Sequence, residues 1–316
     1  MKILMIQAMG YFIPYSGACK ANRFLMEGLA AHGHECKVIT IAPNDNGLRD
    51  TEMFQKTLDA KEVIQICSNE RFEIYESNGV AVHSILEFSQ LSAHILDLTK
   101  KFNPDWVLVT EDRVPELLKL ALDVAPNRVV ELAHSQVALP FGPECYTPNP
   151  EHVELLRKTA GIIASSEYVK EYLYKWGRFE SIAFPFPVHG KGPFQHYDNF
   201  DDGFITMINP SDIKGLPIFL ELAKRFSNHK FAAIPTWATT TENIRTLESY
   251  PNVTLLPRVN DIDEIMKLTK ILIVPSLWGK HSEPSSSMAC LGAFPFLRVM
   301  SVEPLKRSCK LNIYCL

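Results

Sequence analysis

The sequence predicts an α/β protein with two Rossmann-like domains, and three observations support this fold class. Short apolar runs alternate along the chain with segments whose apolar residues recur at helical spacing. A polar stretch rich in Gly, Asp and Asn, residues 189–203, interrupts this alternation, which then resumes. The length of 316 residues, of which 46% are hydrophobic and 22% charged, exceeds what one core of ordinary size accommodates.

The first domain is predicted to span residues 1–188 and to begin with a βαβ unit. Residues 2–7 (KILMIQ) form an apolar run suited to a strand that is buried on both faces. Residues 21–31 then place apolar side chains at helical spacing, and Gly33 suits a left-handed helix end. Residues 36–41 (CKVITI) form the second strand, and the helical crossover between the two strands predicts a parallel sheet.

The same alternation continues through the rest of the chain. Further strands are predicted at 106–110, 128–132, 161–164, 204–208, 230–234, 253–256 and 271–274. Further helices are predicted at 114–124, 151–159, 167–176, 216–226 and 262–268. We therefore interpret residues 189–203 as an interdomain linker and residues 204–279 as a second α/β domain.

The composition disfavours several classes of protein. The net charge of −4 gives no basic excess of the kind that nucleic-acid binding requires. No apolar run approaches the roughly 18 residues of a membrane span. The seven cysteines form no CxxC pair, which disfavours a structural zinc site or a disulfide scaffold. The amino-terminal run lacks the features of a signal peptide, so we expect a soluble protein in a reducing cytoplasm.

Candidate site residues in the first domain follow predicted strands, because loops gather at the carboxyl ends of a parallel sheet. Gly17 closes the loop after the first strand, where it lets the backbone approach an anion at a helix N-terminus; a plain turn is an equal alternative. His134 can bind a ligand hydroxyl, act as an acid or base, or be structural. Glu111 also follows a strand, and its simplest role is to cap the next helix.

The loop 209–215 (NPSDIKG) follows the first predicted strand of the second domain. Lys214 near a helix N-terminus can neutralise a diphosphate, and the alternative is a solvated lysine in a turn. The first domain lacks a GxGxxG fingerprint, which disfavours a dinucleotide dehydrogenase. No Ser-His-Asp arrangement or metal-ligand cluster emerges from the sequence, so hydrolases and metalloenzymes are disfavoured as well.

A succession of stretches resembles the GT-B glycosyltransferases, especially the retaining family-4 type. The stretches are KILMIQ, SGACKANRFLMEGLAAHGHECKVIT, IIASSEYVKEYL, ITMINPSDIKGLPIFLELA and NVTLLPRVNDIDEIMKLTKILIVPSLW. The resemblance covers about residues 1–279. It implies an N-terminal domain that binds the acceptor and a C-terminal domain that binds a nucleotide-sugar donor. It implies no metal and no other cofactor, since the nucleotide-sugar is a substrate.

The resemblance also implies roles for individual residues. Gly17 lies in the loop that faces the ligand and is expected to help bind the donor, and Lys214 matches the lysine that contacts the donor diphosphate. Many relatives have an Arg at the position of Asn209, which puts full binding of the donor phosphates in doubt. His134 resembles the catalytic-site histidine beside the sugar, and Glu111 falls on the acceptor side.

Beyond residue 279 the sequence departs from the family pattern, so the second domain is predicted to be incomplete. The family continues with two carboxylates, a G-x-P-V stretch and a GG turn. Read one base out of frame, the codons from Gly279 onward can spell EAFGTVVVDGMLRGIPVLASNVGG, which restores all of these features. We therefore predict that residues 280–316 are an out-of-frame tail and that Glu283 is not the family's donor carboxylate.

The leading hypothesis is a glycosyltransferase that moves a sugar from a nucleotide-diphospho-sugar to an unknown acceptor, which is a glycan, a lipid or a small molecule. The tail is expected to impair this activity. One alternative is a non-catalytic remnant or binding module, and another is a nucleotide-sugar epimerase of the same fold. We expect no nucleic-acid partner, and a peripheral contact with a membrane is left open.

Overall fold

The apolar runs of the sequence form the strands of two separate sheets. The computed structural model describes residues 1–12, 16–42, 54–55, 58–59, 63–110, 115–187, 197, 199–259, 261–276, 296–299 and 311–314, the last two ranges as backbone only. The chain divides into two compact units, Met1–Gly190 and Lys191–Leu316. Each unit contains a mostly parallel sheet with helical crossovers. The predicted α/β class with two Rossmann-like domains is therefore confirmed.

The sheet of the first unit is nine-stranded in the described residues. Its strands are β1 (Lys2–Ile6), β2 (Glu35–Ile41), β3 (Ile64–Ser68), β4 (Phe72–Ser77), β5 (Val80–Ile85), β6 (Trp106–Thr110), β7 (Val129–Ala133), β8 (Gly161–Ala164) and β9 (Ile182–Ala183). Their order is β3-β4-β5-β2-β1-β6-β7-β8-β9, and every neighbouring pair is parallel except the two that involve β4. The chain leaves β1 toward β2 on one side and returns to β6 on the other. The strand order therefore reverses between β1 and β6, which is where ligands bind in open sheets of this kind.

Helices cover both faces of this sheet. They are α1 (Gly17–Ala31), α2 (Leu91–Phe102), α3 (Glu116–Val124), α4 (Pro150–Leu156) and α5 (Glu167–Tyr172), and α5 continues as the π-helical turn Leu173–Gly177. Successive side chains of β1 point to opposite faces, so that Leu4 and Ile6 join one apolar cluster and Ile3 and Met5 the other. An apolar run without polar alternation is thus explained by a strand that is covered on both sides.

The first helix begins earlier than its apolar spacing predicts. Ser16 is the N-cap, and its hydroxyl accepts a hydrogen bond from the amide of Cys19, so α1 starts at Gly17 rather than at residue 21. At the other end, Gly33 has φ of +84° and donates to the carbonyl of Ala30, which confirms the left-handed helix end expected there.

The second unit contains a six-stranded sheet in the described residues. Its strands are β10 (Phe204–Ile208), β11 (Phe231–Ile234), β12 (Val253–Leu255), β13 (Thr269–Val274), β14 (Phe296–Val299) and β15 (Leu311–Tyr314). Its helices are α6 (Leu216–Arg225), α7 (Thr241–Glu248) and α8 (Asp263–Met266). The strand order is β12-β11-β10-β13-β14-β15, and only β15 runs antiparallel to its neighbour among these strands. The order therefore reverses between β10 and β13.

Parts of the predicted linker and of the predicted tail lie within the described residues of the second unit. Within the predicted linker, the amide of Gly203 donates to the carbonyl of Asn199, forming a turn that leads into β10. Within the predicted tail, β14 extends the sheet beside β13, and β15 pairs with β14. The out-of-frame origin of residues 280–316 remains a prediction, because it concerns the gene. None of the described helices is long and apolar enough to cross a membrane.

Candidate functional site

The first candidate site lies at the carboxyl ends of the central strands of the first unit. Gly17 is exposed as the first residue of α1, in the connection that follows β1. His134 follows β7, which lies beside β6 in the sheet. Glu111, predicted on the acceptor side after β6, lies outside the described residues. The sheet therefore brings the connection that ends at Gly17 and the residue His134 to the same edge.

A chain of buried amide side chains connects His134 to helix α1 and strand β1. His134 Nε2 lies 2.8 Å from Asn22 Oδ1. Asn22 Nδ2 donates to Gln7 Oε1 over 3.1 Å, and Gln7 Nε2 donates to the carbonyl of Met9 over 2.8 Å. Gln7 and Asn22 are 0% and 1% exposed, so both amides depend on each other for their hydrogen bonds.

His134 is half-buried as a residue and is held from several sides. Its ring centroid lies 4.5 Å from that of Phe186, and its carbonyl accepts a hydrogen bond from the hydroxyl of Ser165. Burial lowers the pKa of His134 from 6.5 to about 4. The imidazole is therefore neutral near pH 7, and it suits hydrogen bonding or proton acceptance better than proton donation from a cationic form.

The loop after His134 is fixed by a carboxylate that sequence reasoning missed. Glu144 accepts hydrogen bonds from the Tyr168 hydroxyl at 2.6 Å and from Gln136 Nε2 at 2.8 Å. The hydroxyl of Tyr172 accepts from the Glu144 amide at 3.0 Å and lies 3.2 Å from the carbonyl of Phe141. Burial, followed by the hydrogen bond to Glu144, raises the pKa of Tyr168. This network ties the loop after His134 to helix α5.

The second candidate site lies at the carboxyl ends of β10 and β13, where the strand order of the second unit reverses. Asn209 follows β10 with φ of +60°, is 7% exposed, and accepts a hydrogen bond from the Ala238 amide at 3.2 Å. Lys214 ends the short 3₁₀ turn Asp212–Lys214 and is half-buried. Asn209 therefore shapes the loop through its side-chain oxygen, while Lys214 supplies the positive charge.

Gly215 brings the loop after β10 against the end of β13. Its φ is +86°, and a Cβ at this position would lie 2.2 Å from the carbonyl oxygen of Pro275. Only glycine fits such a close approach to backbone. The amides of Lys214 and Leu216 both donate to the carbonyl of Ser211, which closes the loop tightly. The sequence contained the signal for this turn, in the form of a glycine directly before an apolar helix.

Two buried serines at this second edge lack hydrogen-bond partners within the described residues. Ser211 is 3% exposed and Ser276 is 9% exposed, and neither hydroxyl oxygen makes a hydrogen bond there. Ser211 lies after β10, and Ser276 directly follows Pro275, the residue that contacts Gly215. A buried hydroxyl without a partner carries a free-energy penalty that a polar ligand removes on binding.

The structure groups the predicted residues within each unit. Gly17 and His134 lie on one edge of the first sheet, and Asn209 and Lys214 lie in one loop of the second. Sequence reasoning missed Asn22, although its spacing of four residues from the buried Met26 places it on the inner face of α1. Within the described ranges, no cluster of three or more His, Cys, Asp or Glu residues could hold a metal ion.

Comparison with known proteins concerns structure alone, since no protein-family model and no curated protein matches the sequence. The catalytic domain of starch synthase IV from Arabidopsis thaliana, bound to ADP and acarbose, is similar with a TM-score of 0.64 and 12% identity, over 96% of this chain and 85% of that chain. Anabaena HepE in complex with UDP-glucose has a TM-score of 0.64 and 13% identity, over 94% and 80% of the two chains.

A UDP-GlcNAc 2-epimerase from Neisseria meningitidis, bound to UDP-GlcNAc, is similar at a lower TM-score of 0.52. Its identity to this chain is 16%, over 95% of this chain and 82% of that chain. Similarities at such low identity concern the fold. They show that the chain has the GT-B fold, as the sequence resemblance implied.

Proposed function

We propose that this GT-B chain is a glycosyltransferase of the retaining family-4 type, which transfers a sugar from a nucleotide-diphospho-sugar to an acceptor. The observation that carries the proposal is the second candidate site. Lys214 lies where the strand order reverses, and so do two buried serines whose hydroxyls lack hydrogen-bond partners in the described residues. Hydroxyl donors and a cation are the groups that bind a diphosphate.

The leaving group of such a transfer is a nucleoside diphosphate, which gains negative charge as its bond to the sugar breaks. We propose that Lys214 stabilises this charge and that Ser211 and Ser276 donate hydrogen bonds to phosphate or ribose oxygens. The structural neighbours starch synthase IV and HepE were solved with ADP and with UDP-glucose, which supports a nucleotide-sugar as the donor. No metal enters this proposal, because a lysine and hydroxyl donors can stabilise a leaving diphosphate.

The first unit is proposed to bind the acceptor at the edge that carries His134, where Gly17 is proposed to contact the donor. Neutral His134 can accept a hydrogen bond from a sugar or acceptor hydroxyl, and Gly17 lets a ligand approach the start of α1. Retaining transfer then depends on holding the acceptor hydroxyl beside the anomeric carbon, which is a matter of positioning and electrostatics. The acceptor class, whether a glycan, a lipid or a small molecule, stays open.

A nucleotide-binding experiment tests the donor site. Titration calorimetry of the full chain with UDP, ADP and UDP-glucose is expected to give measurable binding for at least one of them. Lys214→Ala should weaken this binding about tenfold or more, since hydrogen bonds to charged groups contribute about 1.5–3 kcal/mol. Lys224→Ala is the matched control, because it removes the same charge from an exposed position on α6. Equal affinity in both variants would contradict the assignment of Lys214.

The reaction itself separates the proposed transfer from its alternatives. Sugar transfer or donor hydrolysis by the chain supports a glycosyltransferase, whereas conversion of UDP-GlcNAc to its epimer without acceptor would indicate the epimerase. Nucleotide binding without any turnover would indicate a non-catalytic module. Since residues 280–316 are predicted to be out of frame, we expect weak activity from this chain and stronger activity from the chain with the restored frame.

A further inference from the structure

The hydrogen-bonded chain from Met9 to His134 has a fixed polarity. The carbonyl of Met9 can only accept, so the Gln7 amide must direct its Nε2 toward it and its Oε1 toward Asn22. Asn22 must then donate through Nδ2 to Gln7, which leaves its Oδ1 facing His134. An amide oxygen accepts but does not donate, so the ring nitrogen at 2.8 Å must carry the proton.

We infer that Gln7 and Asn22 are positioning residues that hold His134 as the Nε2–H tautomer and leave Nδ1 as its hydrogen-bond acceptor. Nδ1 has no hydrogen-bond partner among the described residues. The ring is fixed in place by its contact with Phe186 and by the Ser165 bond to its own carbonyl. The hydrogen-bonded chain of the Met9 carbonyl, Gln7 and Asn22, which we call the relay, therefore decides which ring nitrogen of His134 is available to a ligand.

The backbone carbonyl of Met9 sets the direction of the hydrogen bonds in this chain. The side-chain amides of Gln7 and Asn22 maintain that direction from the end of β1, through helix α1, to the end of β7. Both amides are almost fully buried, so water cannot supply an alternative partner without opening the core. A carboxylate in place of Asn22 would also accept from Nε2–H but would add a negative charge that favours the protonated imidazole, whereas the amide adds no charge.

The tautomer can be observed directly in the ligand-free chain. Long-range ¹H–¹⁵N correlation spectra of the full chain, labelled with ¹⁵N-histidine at pH 7.5, distinguish protonated from unprotonated ring nitrogens. The signals of His134 are identified by their loss in His134→Gln. We expect a protonated Nε2 and an unprotonated Nδ1. A protonated Nδ1, or an average of the two forms, would overturn the inference without any need for a core variant.

A variant pair tests the part played by Gln7. Gln7→Met removes the link to the Met9 carbonyl, so Asn22 can turn its amide and a measurable share of His134 should shift to the Nδ1–H form. The control is Thr40→Val. The Thr40 hydroxyl also donates to the Met9 carbonyl, over 2.7 Å, so this variant removes a hydrogen bond to the same acceptor while the relay stays intact. An unchanged tautomer in Gln7→Met, or an equal shift in Thr40→Val, would show that the relay does not set the tautomer.

The use of Nδ1 by a ligand rests on the proposed function, and a separate measurement tests it. Titration with UDP-glucose should move the ¹⁵N resonance of His134 Nδ1 and leave Nε2 protonated if a sugar hydroxyl donates to Nδ1. Binding of UDP-glucose without this movement would overturn the ligand role while the tautomer result stands. Absence of any nucleotide binding would instead contradict the proposed function, and the spectrum of the ligand-free chain would still decide the tautomer.

Discussion

Acid is expected to destabilise the first unit through a pair of buried histidines. His83 on β5 is 7% exposed, and its Nδ1 lies 3.0 Å from Nε2 of His94 on α2. In this hydrogen bond one ring nitrogen donates and the other accepts. Protonation of both nitrogens would therefore break the bond and place two positive charges next to each other. Phe72 covers His94 with a ring-centroid distance of 4.6 Å, which helps to keep water away.

Burial, then His94 and Lys37, lowers the pKa of His83 from 6.5 to about 4. Burial also lowers the pKa of His94, with Asp97 raising it and Lys101 lowering it by smaller amounts. Because the folded-state pKa lies below the unfolded value, the unfolded chain binds more protons between about pH 6.5 and pH 4. Stability is therefore fully present above pH 6.5 and is lost as the pH falls toward 4.

The size of the effect follows from the pKa values. A pKa difference of about 2.5 corresponds to about 3 kcal/mol when the loss is complete, at roughly 1.4 kcal/mol for each tenfold change. Between pH 7.5 and pH 5.5, His83 alone accounts for a loss of about 1 kcal/mol. His134, whose pKa is also lowered to about 4, adds a loss of similar size.

Native-state hydrogen exchange measures this loss locally, once the intrinsic exchange rates at each pH are taken into account. The opening free energy of peptides from β5 and α2 should fall between pH 7.5 and pH 5.5 in the unmodified chain. His83→Gln keeps a hydrogen-bonding group toward His94 but does not titrate, so the fall should shrink by about 1 kcal/mol. Val82→Ala, a core deletion at the adjacent residue, should lower stability by a similar amount at both pH values. An equal pH dependence in His83→Gln and the unmodified chain would refute the reasoning.

Four further predictions concern three single residues and the predicted tail. Gly142→Ala should destabilise the first unit by more than about 2 kcal/mol in urea unfolding, because φ is +86° and a Cβ would lie 2.2 Å from the Tyr172 hydroxyl. Gly28→Ala, inside α1 with open space around it, should stabilise by about 0.5–1 kcal/mol. Ser211→Ala should raise stability by about 1 kcal/mol, since it removes a buried hydroxyl without a described partner, and should weaken nucleotide binding in calorimetry. Resequencing the gene across the codons for residues 280–316 should reveal a continuous shifted frame through the GG turn, and a shifted frame interrupted by stop codons would disprove the frameshift.

The central strands could be predicted from sequence because their character is local. β1, β6 and β8 are short apolar runs bounded by polar residues, and the structure places them within one residue of the predicted bounds. The sequence patterns predict no strand or helix in the segment that contains β3, β4, β5 and α2. Its outer strand β3 is exposed along its whole length, so its apolar residues show no pattern of burial that a sequence could reveal. These strands exist because β5 pairs with β2 and the antiparallel β4 and β3 add to it.

The candidate site also combines residues that a local sequence pattern indicates with residues that no such pattern indicates. His134 and Lys214 could be predicted because each follows an apolar strand, and the carboxyl ends of parallel strands gather ligand-binding loops. Gln7, Asn22 and Glu144 could not be assigned a role, because their partners lie at distances in sequence that no local pattern records. The sequence by itself determined the fold class and the strand ends that carry the candidate site, since burial imposes periodicity on neighbouring residues. Only the tertiary structure decided which polar groups meet at those ends, because hydrogen bonds depend on distance in space rather than along the chain.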